Sequence, residues 1–216
     1  MKYRAVLCFA LVTGAIALAQ QPAEWHPNIA EDNKADTWEQ TSSWLTGALN
    51  TTDINQTGSD IILRTAFGAQ VQAQCSLETT STVFVAKKNK QPIDGSEDRY
   101  RRLEGTLDIA KIDPLSIRVS RDAHPSLTVY HVYLEGMDRK PILNGREIRP
   151  HFIPRDFNDP WKECSGRYKK DCRINESYAD YRYEIYVADL DLSKRLARAL
   201  MHAALLCGGS KAVSPF

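Results

Sequence analysis

Between Ile61 and Leu134 the apolar residues recur at every second position, in short runs separated by turn residues, and this pattern predicts an antiparallel sheet with one wet face. Val71, Ala73, Cys75 and Leu77 alternate with Gln70, Gln72, Gln74 and Ser76, which predicts one strand. Thr80–Lys87, rich in β-branched residues around Val83-Phe84-Val85, predicts the next, and Asn89–Asp98 a loop through Pro92 and Asp94-Gly95. Leu103–Ile112, Leu115–Ser120 and Leu127–Leu134 continue the series, broken by Asp113-Pro114 and His124-Pro125. Alternation returns in Tyr181–Ala188, through Tyr183, Ile185 and Val187.

At both ends of this sheet pattern the period becomes helical. Asp36-Thr37-Trp38-Glu39 offers an N-cap at Asp36 with Glu three residues on, and Trp38, Thr41, Leu45, Ala48 and Leu49 then form one stripe with Trp44 at its margin. Near the other end Asp191 is placed to cap a helix with Leu192, Leu196, Ala199, Leu200, Ala203 and Cys207 on one face, stopped by Gly208-Gly209. Lys194, Arg195, Arg198 and His202 lie towards the other face, which reads as solvated. The fold class expected is α+β: an N-terminal amphipathic helix, a curved antiparallel sheet and a closing C-terminal helix.

Residues 1–19 have a basic start at Lys2 and Arg4, an apolar run from Ala5 and a small-x-small end at Ala17-Leu18-Ala19, the pattern of a signal peptide removed on export. The expected organisation is a signal peptide over 1–19, a flexible lead-in over 20–35, one domain over 36–209 and a tail over 210–216. An exported chain, periplasmic or secreted, keeps Cys75, Cys164, Cys172 and Cys207 in an oxidising compartment, and four cysteines allow three pairings. Cys164 and Cys172 enclose a short polar loop whose closure costs least entropy, so they are expected to pair, leaving Cys75 with Cys207 by elimination. No segment is expected to span a membrane in the mature chain, because the apolar run is shorter than a bilayer requires and sits in the removed segment.

The 216 residues carry 28 Lys and Arg against 27 Asp and Glu, a formal charge of +1 that becomes −1 without Lys2 and Arg4, so a nucleic acid is not an expected partner. The sequence has no Gly-rich phosphate loop, no Gly-x-Ser-x-Gly elbow, no Cys-x-x-Cys and no His pair at helical spacing, so neither cofactor nor metal is expected. Asn50, Asn55 and Asn175 head formal glycosylation sequons, which matter only in a eukaryotic secretory route.

From Met137 to Asp180 the alternation stops amid Pro141, Pro150, Pro154, Pro160 and the Asn144-Gly145 turn signal, and a long loop is expected. Within it, residues 139–173 hold ten basic against five acidic residues, interleaved with Phe152, Phe157, Trp161 and Tyr168. Arginine beside exposed aromatics is the composition of a contact surface, and Arg155, Trp161, Arg167, Lys169, Lys170 and Arg173 are its expected binding residues.

Three segments carry a resemblance. Trp38-Glu39-Gln40-Thr41-Ser42-Ser43-Trp44-Leu45, Leu107-Asp108-Ile109-Ala110-Lys111-Ile112-Asp113-Pro114 running into Ser116-Ile117-Arg118-Val119, and Leu196 to Gly209 before Pro215-Phe216 resemble a group of small exported bacterial proteins, common in acidobacteria, whose function is uncharacterised. The resemblance implies a pleckstrin-homology-like sheet closed by a C-terminal helix, and it brings no catalytic residues with it. The function expected is that of a non-enzymatic exported binding module, meeting an envelope or extracellular protein or an anionic envelope component through the basic, aromatic loop. The alternatives are a secreted hydrolase using His131 or His124 with a nearby carboxylate, and an inhibitor-like protein presenting the stapled loop.

Overall fold

The structure is a computed structural model that describes residues 24–29, 36–59, 61–87, 99–122, 126–150 and 172–208. It is α+β. Helix α1 (Trp38–Leu49) precedes strands β1 (Ile54–Thr57), β2 (Ile61–Ala73), β3 (Ser76–Lys87), β4 (Arg99–Asp108), β5 (Arg118–Arg121), β6 (Tyr130–Glu135), β7 (Leu143–Pro150), β8 (Cys172–Asp180) and β9 (Arg182–Val187), and helix α2 (Leu190–Leu206) follows. The described strands form two sheets, ordered β1-β2-β3-β4-β7-β8 and β5-β6-β9, rather than one closed barrel, and every strand pair is antiparallel. No described helix is long and apolar enough to cross a membrane.

Helix α1 starts one residue later than the sequence suggests: Thr37 is the N-cap, and it forms a reciprocal capping box with Gln40. Asp189, not Asp191, caps α2, its Oδ1 accepting from the Leu192 amide at 2.6 Å. The alternation read across Val71–Leu77 spans two strands and their turn. Cys75 sits in that turn with φ 60, and Val71 is 46% exposed. The runs read as Leu103–Ile112 and Leu115–Ser120 are each partly 3-10 turn, at Ile109–Lys111 and Pro114–Ser116, where Asp113 Oδ1 caps Leu115 N.

The expected loop over 137–180 is corrected towards both ends, where a 3-10 turn at Met137–Arg139 leads into strand β7 and strand β8 ends the segment, the two strands pairing out to Pro150 opposite Cys172 with a register shift between Gly145 and Glu147. Asn144-Gly145 lies inside β7 rather than in a turn. Gly145 faces Gly105 across the β4–β7 pair, and a Cβ on either would overlap the other strand's backbone, so the glycines serve a close approach. Trp25, in the expected flexible lead-in, is bridged through its backbone to Val119 in both directions, at 2.8 and 2.7 Å, which covers the free edge of β5.

Leu45 and Leu49 of α1 and Leu196 and Leu200 of α2 are fully buried in one core with Leu107, Leu134 and Ile185 from both sheets and Ile117 just before β5. A satellite cluster of Ile54, Leu63, Leu127 and Val129 fills the far end of the six-stranded sheet. Cys75 and Cys207 are disulfide-bonded across 132 residues, as elimination predicts, and the bond ties the C-cap of α2 to the β2–β3 turn. Cys164 lies outside the described residues, as does the expected signal peptide.

Candidate functional site

The two amphipathic helices pack against each other, and along their outer side they leave a cavity of about 370 Å3. Its α1 wall is Gln40, Thr41 and Trp44, and its α2 wall is Arg195, Arg198, Ala199 and His202. The spacing explains both sets, because residues three, four and seven apart share one helical stripe. Thr41 and Ala199 belong to the apolar stripes of their helices, and the other wall residues flank them. His202 Nε2 contacts the Asp36 carbonyl oxygen at 3.3 Å and joins α2 to the residues leading into α1.

The basic face of α2 is not simply solvated. The Arg195 guanidinium lies over the Trp44 ring at 5.3 Å, while Arg198 and Lys194 lie over Trp25 at 5.3 and 5.7 Å. A cation over an indole face gains electrostatic attraction without using its N–H donors, so each guanidinium still presents its planar fork. Among the described residues, none of these three cations has a carboxylate partner. Asp36 is the only carboxylate among the described lining residues, and His202, read as outward-facing, is only 6% exposed.

Thr41 adds an unusual feature. It is 6% exposed, and its hydroxyl has no hydrogen-bond partner, although a mid-helix threonine ordinarily bonds the carbonyl four residues back. Leaving a buried hydroxyl unmatched costs about 1–3 kcal/mol. Thr41 was legible only as a member of the apolar stripe, and Trp44 as its margin. A hydroxyl within that stripe beside a marginal tryptophan was the signal available in the sequence.

Most of the expected contact residues, Arg155, Trp161, Arg167, Lys169 and Lys170, lie outside the described residues, as does His124. Arg173 is placed by its backbone alone, opposite Arg149 in the β7–β8 pair.

His131 is the other site residue proposed from sequence, and the structure surrounds it with the carboxylates that reading called for. On the face of the three-stranded sheet opposite Val132 and Leu134, Nδ1 meets Glu184 of β9 and Nε2 meets Asp122 Oδ2 at 3.0 Å. Tyr133 stacks on the ring at 5.6 Å, and Tyr186 packs against it at 4.6 Å and donates to Glu184 Oε2. Burial alone would lower the imidazole pKa, but hydrogen bonds and charge from Glu184 and then Asp122 outweigh it and hold the ring protonated above its ordinary value. Burial likewise opposes ionisation of Glu184, yet His131 depresses its pKa; desolvation and the Glu184 charge push Tyr133 up to about 12. An imidazolium donating through both nitrogens has no lone pair to offer as a general base. The geometry makes His131 a charged tie between β6, β9 and the end of β5.

Among the described residues no group of three or more His, Cys, Asp or Glu side chains is arranged to hold a metal. Set against models of protein families, characterised proteins and solved structures, the chain matches none of them.

Proposed function

We propose that this protein is an exported, non-enzymatic binding module, and that the cleft between α1 and α2 is its binding site. One observation carries the reading: a cavity of about 370 Å3, within the range of small-molecule sites, is walled by Arg195 and Arg198, which lack a carboxylate partner among the described residues. Unused charged donors beside aromatic and aliphatic surface suit recognition, where a few polar groups orient a ligand and apolar walls hold it. Export rests on the signal-like residues 1–19, and the Cys75–Cys207 bond is compatible with an oxidising compartment. The resemblance to exported bacterial proteins with a pleckstrin-homology-like curved sheet belongs to the same proposal. So does a second contact surface on the basic segment 139–173.

The test is native mass spectrometry of the protein recovered from an envelope or periplasmic fraction. A low-mass adduct is expected on the wild type and should be absent from Ala199→Trp, whose indole would fill the cleft, with both proteins equally folded by circular dichroism. An unliganded wild type, or an adduct retained by the filled variant, rules out the cleft as the binding site.

A further inference from the structure

Resting on the cleft reading above, we infer that the ligand is an amphiphilic monocarboxylate: a single carboxylate on an apolar body, held by Arg195, Arg198 and the Thr41 hydroxyl. Arg195 and Arg198 are three apart on α2, so their side chains leave the helix as neighbours and converge on the cavity that both line. Each guanidinium rests on an indole and keeps its in-plane N–H groups, the geometry that meets a carboxylate through two parallel bonds. The charge count of the lining sets the valence. Among the described lining residues, two guanidinium groups and one Asp36 carboxylate leave one positive charge, which a monoanion neutralises and a phosphate dianion would exceed.

The remainder of the wall fixes the body of the ligand. Trp44, Ala199 and Met201 are apolar, so the part behind the carboxylate must be apolar to gain by leaving water. Thr41 is an independent indication. Thr41 lines the cavity, and its hydroxyl is buried without a partner, so a ligand oxygen brought within reach of it would satisfy a group that the protein alone leaves unmatched. Free aromatic acids and fatty acids share this chemistry and differ only in the shape of the apolar part.

Calorimetric titration with 2-naphthoate and decanoate, each beside its neutral alcohol, 2-naphthylmethanol and 1-decanol, tests the assignment and separates the two sources. At least one acid should bind about tenfold or more tighter than its alcohol, the scale of one charge-assisted contact. The naphthyl pair responding points to an aromatic acid, and the decyl pair to a fatty acid. Arg195→Gln with Arg198→Gln should abolish the preference for acid over alcohol. Thr41→Val should weaken acid binding several-fold while raising the melting temperature of the free protein, an opposed pair of effects that a purely structural threonine would not give. Equal binding of acid and alcohol, a preference that survives the double arginine variant, or failure of both acids to bind folded wild type overturns the inference. The adduct experiment separates this failure from that of the cleft reading: an adduct lost in Ala199→Trp, with neither acid binding, leaves the cleft standing and removes only the ligand class.

Discussion

Cys75, in the turn between β2 and β3 with a positive φ of 60, is bonded to Cys207, the C-cap of α2, so the last helix is fastened at its end to the tip of the longest hairpin. Closing a loop of 132 residues stabilises the fold by about 4–5 kcal/mol in the chain-entropy picture, less any native strain. Cys207→Ala should lower the urea midpoint by a corresponding amount, and a reductant should reproduce the loss in the wild type. An unchanged midpoint in both would show that the bond constrains nothing.

Asn50, just past the end of α1, donates from Nδ2 to the Ala69 carbonyl at 3.0 Å and accepts from the Ala69 amide at 2.8 Å. This two-way bond docks one wall of the cleft onto β2. Asn50→Ala should cost about 1–3 kcal/mol by chemical denaturation, because two part-buried backbone groups lose their partner. It should also weaken ligand binding, since α1 carries Thr41 and Trp44.

The His131 tie predicts a pH profile with two limbs. His131 has its pKa raised above 6.5, so its stabilisation is complete below that value and is lost as pH rises through the raised one. Glu184 has its pKa lowered from 4.5, so its contribution is complete above 4.5 and is lost as pH falls through the lowered value. Stability from this pair should therefore be greatest between pH 4.5 and 6.5. His131→Gln should lower stability at pH 6 by about 1.5–3 kcal/mol, the range for hydrogen bonds to charged groups, and flatten the decline above pH 6.5 in thermal melts. A variant with the same alkaline slope as wild type would place the titration elsewhere.

Gly145 and Gly105 face each other across β4 and β7, and a Cβ on Gly145 would overlap the Glu104 carbonyl and the Gly105 Cα. Both neighbours are backbone and have little room to yield. Gly145→Ala should destabilise by about 1–3 kcal/mol, the usual cost of overpacking. Amide exchange should speed up in β7 and β8, the strands that depend on this approach. Protection equal to wild type would show that the sheet shifts at no cost.

Both amphipathic helices, the antiparallel character of the sheet between them and, once Cys164 is set against Cys172, the Cys75–Cys207 bond could be read from the residues alone. Each follows from local periodicity or from a short list of possible pairings. Strand boundaries were less legible: the alternation from Val71 to Leu77 passes through a tight turn without breaking, because period two records side-chain polarity and not chain reversal. Strands β7 and β8 were hidden for a related reason, since Asn144-Gly145 carries a turn signal although its glycine serves a close approach to Gly105. The candidate site was the least legible part. Arg195, Arg198 and Thr41 acquire meaning only when α1 and α2 are packed side by side, which brings residues more than 150 positions apart to one cavity. The same holds for His131, whose protonation depends on Glu184 and Asp122 arriving from neighbouring strands. Local pattern records which face of an element avoids water, but only the tertiary fold decides which two faces meet.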